Sequence, residues 1–253
     1  MTHASLFSGI GGFDLAAEWM GWENIFHCEW NPFGQKVLAH HFPNSKSYND
    51  ITKTDFTIHA GAIDVLTGGF PCQPYSLAGK QLGKEDERHL WPEMLRTIEE
   101  VKPTWVVGEN VLGIVNWGGG LVFNEVQVEL ENKGYEVQAY ILPACSKNAP
   151  HKRERTWFLA YSNSARLYKQ HISAKSIKEK PRSRIFDEKG DFRSFPTQPP
   201  ICGGDDGFPK ELDSITFSKW KNQSIKAYGN AIVPQVAYQI FKAICNSETI
   251  KST

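Results

Sequence analysis

The chain has 253 residues, 28 Lys and Arg against 28 Asp and Glu, and 40% hydrophobic residues, enough for one substantial core or one large domain with a small companion. No apolar run approaches the roughly 18 residues of a membrane span, and MTHASLFSGIGG lacks the basic-then-apolar layout of a secretory signal, so a cytoplasmic protein is expected. Five cysteines, at 28, 72, 145, 202 and 245, form no CxxC pair, which argues against a disulfide framework and against a zinc site.

In chain order, the first 160 residues alternate strand-like and helix-like stretches. Ala4 to Ser8 reads as a strand leading into a Gly-rich turn, and FDLAAEWMGW follows with apolar residues at helical spacing. Asn24 to Trp30 is a second strand, after which Pro32 is placed to start a helix. Ala62 to Phe70 is a third strand, Pro92 to Val101 a helix, and Thr104 to Asn110 a strand. Leu121 to Gly134 is a helix with Gly134 at its C-terminal cap. YEVQAYIL and RTWFLAYS are strands. Repeated strand, helix, strand with short links predicts an α/β domain with a mostly parallel sheet, spanning 1–161. From 162 to 223 the chain is basic, rich in Pro and Gly and weakly periodic, which reads as a small region with little regular structure. From 224 to 253 a turn at Gly229–Asn230 precedes an apolar helical pattern from Val233 to Cys245, a segment expected to pack back on the sheet.

Zero net charge hides an asymmetry. Lys147 to Arg193 holds thirteen Lys or Arg against five Asp or Glu. Such a segment suits a polyanion, and equally a solvated insert.

Four signals carry chemistry. FSGIGGFD, at the carboxyl end of the first strand, sits where open α/β sheets bind ligands, and its glycines let backbone approach a ligand closely; alone it also suits other nucleotides, or none. About twenty residues later Glu29 ends the second strand with Trp30 beside it. A carboxylate there can bind ribose hydroxyls and an indole can stack on adenine, against a solvated acid and a core Trp. GGFPCQPYS puts Cys72 at the same edge, stiffened by Pro71 and Pro74; an exposed thiolate is a strong nucleophile, whereas most lone cysteines are small buried hydrophobes. Glu109 ends TWVVGEN as a partly buried carboxyl able to donate a proton, or as a capping acid. Arg153 and Arg155, two apart at the start of a strand, project on one face and suit phosphate or carbonyl oxygens, or a charged strand end in water.

Taken in order, FSGIGG, Glu–Trp, PCQ, ENV, Arg-x-Arg and GNAIVP resemble the DNA (cytosine-5)-methyltransferase family, over nearly all of 3–162 and again over 224–244. PCQ followed by ENV at this separation is highly specific. The resemblance implies a Rossmann-like S-adenosylmethionine-dependent methyltransferase fold with a small, irregular target-recognition region. It implies double-stranded DNA as partner, a base rotated out of the duplex, and Cys72, Glu109, Arg153 and Arg155 as the catalytic set. Cys72 would attack carbon 6, Glu109 would face ring nitrogen 3 and the amine, Arg155 would bind the position 2 oxygen, and Arg153 would support the loop or contact phosphate. By the same resemblance Phe7, Gly9, Gly11, Gly12, Glu29, Trp30, Asp50, Ile51, Leu90, Asn230 and Ala231 would surround S-adenosylmethionine. Gln73 to His89 looks like the mobile loop that closes over DNA, with Gly79 and Gly83 as hinges and Lys80, Lys84 and Arg88 facing phosphates. No metal is implied, and a monomeric, bacterial or phage-encoded enzyme is expected.

Two departures stand out. His151 replaces the glutamine of the family's Gln-x-Arg-x-Arg pattern. Only about sixty residues separate the Arg-x-Arg strand from GNAIVP, shorter than usual, although QPPICGGDDGFP resembles a stretch of short, phage-type members. Neither the recognised bases nor a cognate restriction endonuclease can be inferred. Two other readings fit part of the pattern: an RNA cytosine-5 methyltransferase, and a catalytically silent module that binds DNA and cofactor.

Overall fold

The first strand, β1 (Thr2–Leu6), has its last four residues fully buried, as a central parallel strand covered on both faces must. Around it, the computed structural model describes residues 1–71, 90–147, 153–164 and 216–250. Then follow α1 (Gly12–Trp19), β2 (Glu23–Cys28), α2 (Pro32–His41), β3 (Lys46–Tyr48) and β4 (Val65–Gly68). After α3 (Trp91–Val101) come β5 (Trp105–Val111), α4 (Leu121–Asn132), β6 (Tyr135–Pro143) and β7 (Glu154–Ser162). Two further helices, α5 (Thr216–Asn230) and α6 (Pro234–Ile250), complete the described chain. Pro32 opens α2 beneath an Asn31 cap, whose side chain accepts from the Phe33 amide at 2.8 Å.

Among the described residues seven strands form one sheet, in the order β3-β2-β1-β4-β5-β7-β6. Pairs among β1 to β5 are parallel; β7 runs antiparallel to both β5 and β6. The chain winds outward from β1 to β3, then returns to place β4 on the other side of β1. That reversal is a topological switch point, and it opens a crevice at the carboxyl ends of β1 and β4. Because β7 is antiparallel, its beginning reaches the same edge, with Arg155 opposite Val111.

Two cores flank the sheet. On one face Leu66, Met94, Ile98, Val106, Val126 and Phe158 pack α3 and α4 down. On the other, Phe13, Ala17, Val107, Trp157 and Phe241 join α1 to α6, with Trp22 stacked on Phe241 at 4.7 Å. On this face α6 packs against α1.

Two elements differ from the sequence reading. β3 is a three-residue edge strand with two exposed positions, too short for alternation to show. Residues 216–223, expected to be irregular, belong to α5, which also runs across the 223/224 boundary and through Gly229–Asn230. Among its described side chains Ile225 and Tyr228 are 51% and 65% exposed while Ser224 is buried, the reverse of the sorting that a periodic reading looks for. No described helix is long and apolar enough to cross a membrane.

Beneath the turn after β1 lies a buried polar cluster. The Ser5 hydroxyl donates to both Asp14 carboxylate oxygens at 2.9 Å and lies 2.6 Å from the Ser8 hydroxyl. Burial pushes the Asp14 carboxyl up to about 7, against the opposing Ser5 hydrogen bond. The folded state thus holds the proton more tightly than the unfolded chain, so this contribution is complete below pH 3.8 and is lost as pH rises to about 7. Asp14→Asn should abolish that ramp. Urea unfolding at pH 5 and pH 8 should show a wild-type loss of about 3 kcal/mol at most, and a much smaller one in the variant. Equal losses in both proteins would remove Asp14 as the cause.

Candidate active site

The glycine turn follows β1 directly. Phe7 adopts φ 52° and Gly11 φ 84°, both in the left-handed region. A Cβ at Gly11 would lie 2.5 Å from the Phe42 ring, so conformation and space both demand glycine there. The Gly9 amide donates to Glu29 Oε2 at 2.6 Å, and the Asn31 amide to Glu29 Oε1 at 2.7 Å. Glu29 therefore fastens the turn to the end of β2. Burial raises its carboxyl above the usual range, opposed by those two amides. Trp30, beside it, is 71% exposed rather than a core residue.

Behind this turn sits a residue the sequence reading passed over. A Cβ at Gly34 would meet the Gly9 carbonyl oxygen at 2.5 Å and Glu29 Cγ at 2.9 Å, so α2 presses its backbone against the turn. The available signal was a glycine inside a helix, a position that costs about 1 kcal/mol relative to alanine without a compensating reason. Gly34→Val should drive the turn off Glu29 and weaken the S-adenosylmethionine binding expected of this turn tenfold or more, a loss of about 1.4 kcal/mol or greater. Calorimetric titration would show it, and unchanged affinity would mean that the turn accommodates the larger residue.

Asp50 and Ile51 follow β3. Asp50 accepts from the Thr52 amide and hydroxyl at 3.0 and 2.7 Å and pairs with Lys53 at 3.2 Å; chiefly the Thr52 hydroxyl holds its carboxyl below the ordinary range. Ile51 is buried. Leu90 precedes α3 as its N-cap residue.

On the other side of the switch point, β4 runs into Gly69, Phe70 and Pro71. Asn110, fully buried, donates from Nδ2 to the Phe70 carbonyl at 3.2 Å and accepts from the Val111 amide at 2.8 Å. This residue of ENV thereby anchors the backbone that leads to position 72. Cys72 itself, residues 73–89, His151 and Lys152 lie outside the described residues. Of the described cysteines, Cys28 has its thiol pushed up to about 12, chiefly by burial, which leaves it unreactive.

Glu109 stands at the carboxyl end of β5, its Oε2 3.4 Å from where a Gly69 Cβ would be. Its Oε1 pairs with Arg155 Nε at 2.9 Å. Burial raises the Glu109 carboxyl, while Arg155 and then Arg153 pull it down. Glu109, Arg153, Arg155 and Trp157 line one cleft, with Val233 and Val236 from the C-terminal segment on its wall.

The two arginines do not act in parallel as their spacing suggested. β7 begins at Glu154, so Arg153 lies just outside it, with φ 32°. Its guanidinium turns to the carbonyls of Gly229 and Ala231, each at 2.8 Å, whereas that of Arg155 turns to Glu109. Asn230 is exposed and Ala231 half-buried. Among the described residues, no group of three or more His, Cys, Asp or Glu side chains is arranged to hold a metal.

Sheet order, the antiparallel β7 and ligand-edge turns define an α/β methyltransferase fold. Solved structures agree. A prophage-encoded Escherichia coli protein described as a DNA modification methyltransferase superposes with a TM-score of 0.56 at 24% identity, over 66% of this chain and 48% of its own. A Spodoptera frugiperda DNMT2 mutant superposes with a TM-score of 0.53, also at 24% identity, over 64% of this chain and 50% of its own. The chain belongs to the C-5 cytosine-specific DNA methylase family, whose profile matches residues 1–200. Among curated relatives, the type II methyltransferase M.PspPI of Psychrobacter sp. is 37% identical over 68% of this chain and 45% of its own. M.HhaI of Haemophilus parahaemolyticus is 34% identical over 64% and 49%. The chain thus spans about half the length of the curated relatives it matches.

Proposed function

We propose that this chain transfers a methyl group from S-adenosyl-L-methionine to carbon 5 of cytosine in double-stranded DNA, acting as a monomer on a base rotated out of the duplex. The observation that carries this reading is the Glu109–Arg155 pair at 2.9 Å, in the crevice shared by the glycine turn and by the backbone leading to Cys72. Proton donor and fixed cation side by side suit the nitrogen and oxygen edge of a pyrimidine.

The cofactor fits the turn after β1. A Cβ at Gly9 would meet nothing within 4 Å, so open space lies over a backbone already held by Glu29. Phe7, Gly9, Gly11 and Gly12 would hold the amino-acid part, Glu29 the ribose and Trp30 the adenine, with Asp50, Ile51, Leu90, Asn230 and Ala231 around them. S-adenosylmethionine, when bound, supplies an electrophilic methyl group.

The protein side of the reaction is proton and electron-pair management. The Cys72 thiolate forms a bond to carbon 6 of cytosine, and electron density moves toward ring nitrogen 3, which takes a proton from Glu109. Arg155 holds the oxygen at position 2, steadying charge that appears during attack. Carbon 5 becomes nucleophilic and accepts the methyl group. Loss of the carbon 5 proton to a base then re-forms the ring double bond and expels Cys72 as thiolate, and ring nitrogen 3 returns its proton to Glu109. Splitting one hard substitution into an addition and an elimination is the advantage of a covalent route.

Radiolabelled methyl transfer to duplex DNA and to tRNA, followed by bisulfite sequencing of the DNA, tests this. Label at cytosine in DNA is expected. Label in tRNA alone would replace DNA with RNA as substrate, and no label in either from folded protein would leave only a binding module.

A further inference from the structure

Arg153 spends its guanidinium on backbone. Nη1 donates to the Gly229 carbonyl and Nη2 to the Ala231 carbonyl, both at 2.8 Å. The residue accepts φ 32° to do so, a conformation that costs a non-glycine residue on the order of 1 kcal/mol or more and persists only where surroundings hold it. The next residue along the clamped segment is Ile232. A Cβ placed on Gly12 would lie 3.0 Å from the Ile232 carbonyl oxygen and 3.3 Å from its Cβ; one placed on Gly69 would lie 3.6 Å from its Cδ1. Ile232 is therefore wedged between the turn after β1 and the chain after β4, beside Glu109.

We propose that Arg153 is a positioning residue and not a ligand contact: by clamping the carbonyls of Gly229 and Ala231 it presses Ile232 between Gly12 and Gly69, and so sets the spacing between the cofactor seat and the base pocket. This deepens the proposed function and rests on it. The fork of the guanidinium suits the task, because it reaches two carbonyls two residues apart with fixed geometry, whereas an ammonium is a single point donor. Ile232 belongs to the site as its apolar spacer, a role distinct from that of neighbouring Asn230 and Ala231.

The full-length protein carrying Arg153→Ala, Arg153→Lys or Ile232→Ala tests the idea through three measurements: amide exchange at 229–233, S-adenosylmethionine affinity by calorimetry, and affinity for duplex DNA. Arg153→Ala should speed exchange at 229–233 and weaken cofactor binding by about tenfold or more, the scale of two lost hydrogen bonds, with DNA affinity held within about twofold. Arg153→Lys should restore only part of both. Ile232→Ala should weaken cofactor binding while leaving the clamp, and hence exchange at 229–231, close to wild type. A tenfold loss of DNA affinity with exchange and cofactor binding unchanged would overturn the proposal and make Arg153 a phosphate contact. Should Arg153→Ala fail to fold, Arg153→Gln, which keeps one donor arm, is read by the same criteria. Absence of methyl transfer by the wild type would defeat the proposed function while leaving the exchange comparison intact; transfer with unaltered exchange in the variants would defeat the clamp alone.

Discussion

Replacing Cys72 by alanine is expected to abolish methyl transfer to DNA while leaving S-adenosylmethionine affinity within about 1 kcal/mol, the range of an ordinary substitution away from the ligand. In the proposed reaction Cys72 is the nucleophile, and the expected result depends on no other thiol taking its place. Cys28 is buried with its thiol pushed up to about 12, Cys245 lies on α6, and Cys145 is exposed in the short turn after β6, next to Ala144 of the cleft, so Cys145→Ala, which should keep activity, is the control. The covalent route predicts more than loss of activity. Wild-type protein should form a gel-stable complex with DNA carrying 5-fluorocytosine, because fluorine does not leave as a proton does, and Cys72→Ala should form none. A stable adduct in the variant would assign attack to another residue. Collapse of cofactor binding in the variant would make Cys72 structural.

The second large effect concerns Glu109. Glu109→Gln keeps size and polarity but cannot hand over a proton, so kcat should fall by about 10²–10⁴, the usual worth of positioned acid–base catalysis. The pH dependence has a definite sign. Burial raises the Glu109 carboxyl, and Arg155 is the first group that opposes the rise. The competent form is protonated, so kcat/KM should decline as pH climbs through the pKa of Glu109 in the free enzyme. Arg155→Gln removes the opposing cation. Glu109 then keeps its proton to higher pH, and the declining limb should move upward even as the maximal rate drops. A limb that moves downward, or one that survives Glu109→Gln, would show that another group sets it.

Much of this arrangement is legible in the amino-acid order, for physical reasons. Buried parallel strands must be apolar along their length, so VLTG and WVVGENV announce themselves, and chain direction alone places Glu109 at their carboxyl edge. Glycine before a helix marks the turn that Gly11 makes at φ 84°. What stays hidden is set by partners distant in sequence. Gly34 looks like a weak helix residue until the Gly9 carbonyl is seen against it. Arg153 and Arg155 look equivalent by spacing; only the position of α5 and the start of β7 separates them. α5 escapes notice where its side chains are described because Ile225 and Tyr228 are exposed and Ser224 is buried, against the pattern that periodicity looks for. Asn110 lies in a motif that points to its neighbour Glu109, and its hold on the Phe70 carbonyl needs the pairing of β4 with β5.

The α1 and α6 pairing bears on biosynthesis. Phe13 and Trp22 find their aromatic partner in Phe241, at the opposite end of the described polypeptide, so that layer stays uncovered while a ribosome is still translating the strands. Contacts this remote in sequence are slow to form, and apolar surface exposed meanwhile invites aggregation. Since Ile232 and the carbonyls gripped by Arg153 arrive with the same late stretch, a nascent chain lacks the wedge between the turn after β1 and the chain after β4 until translation has passed residue 232.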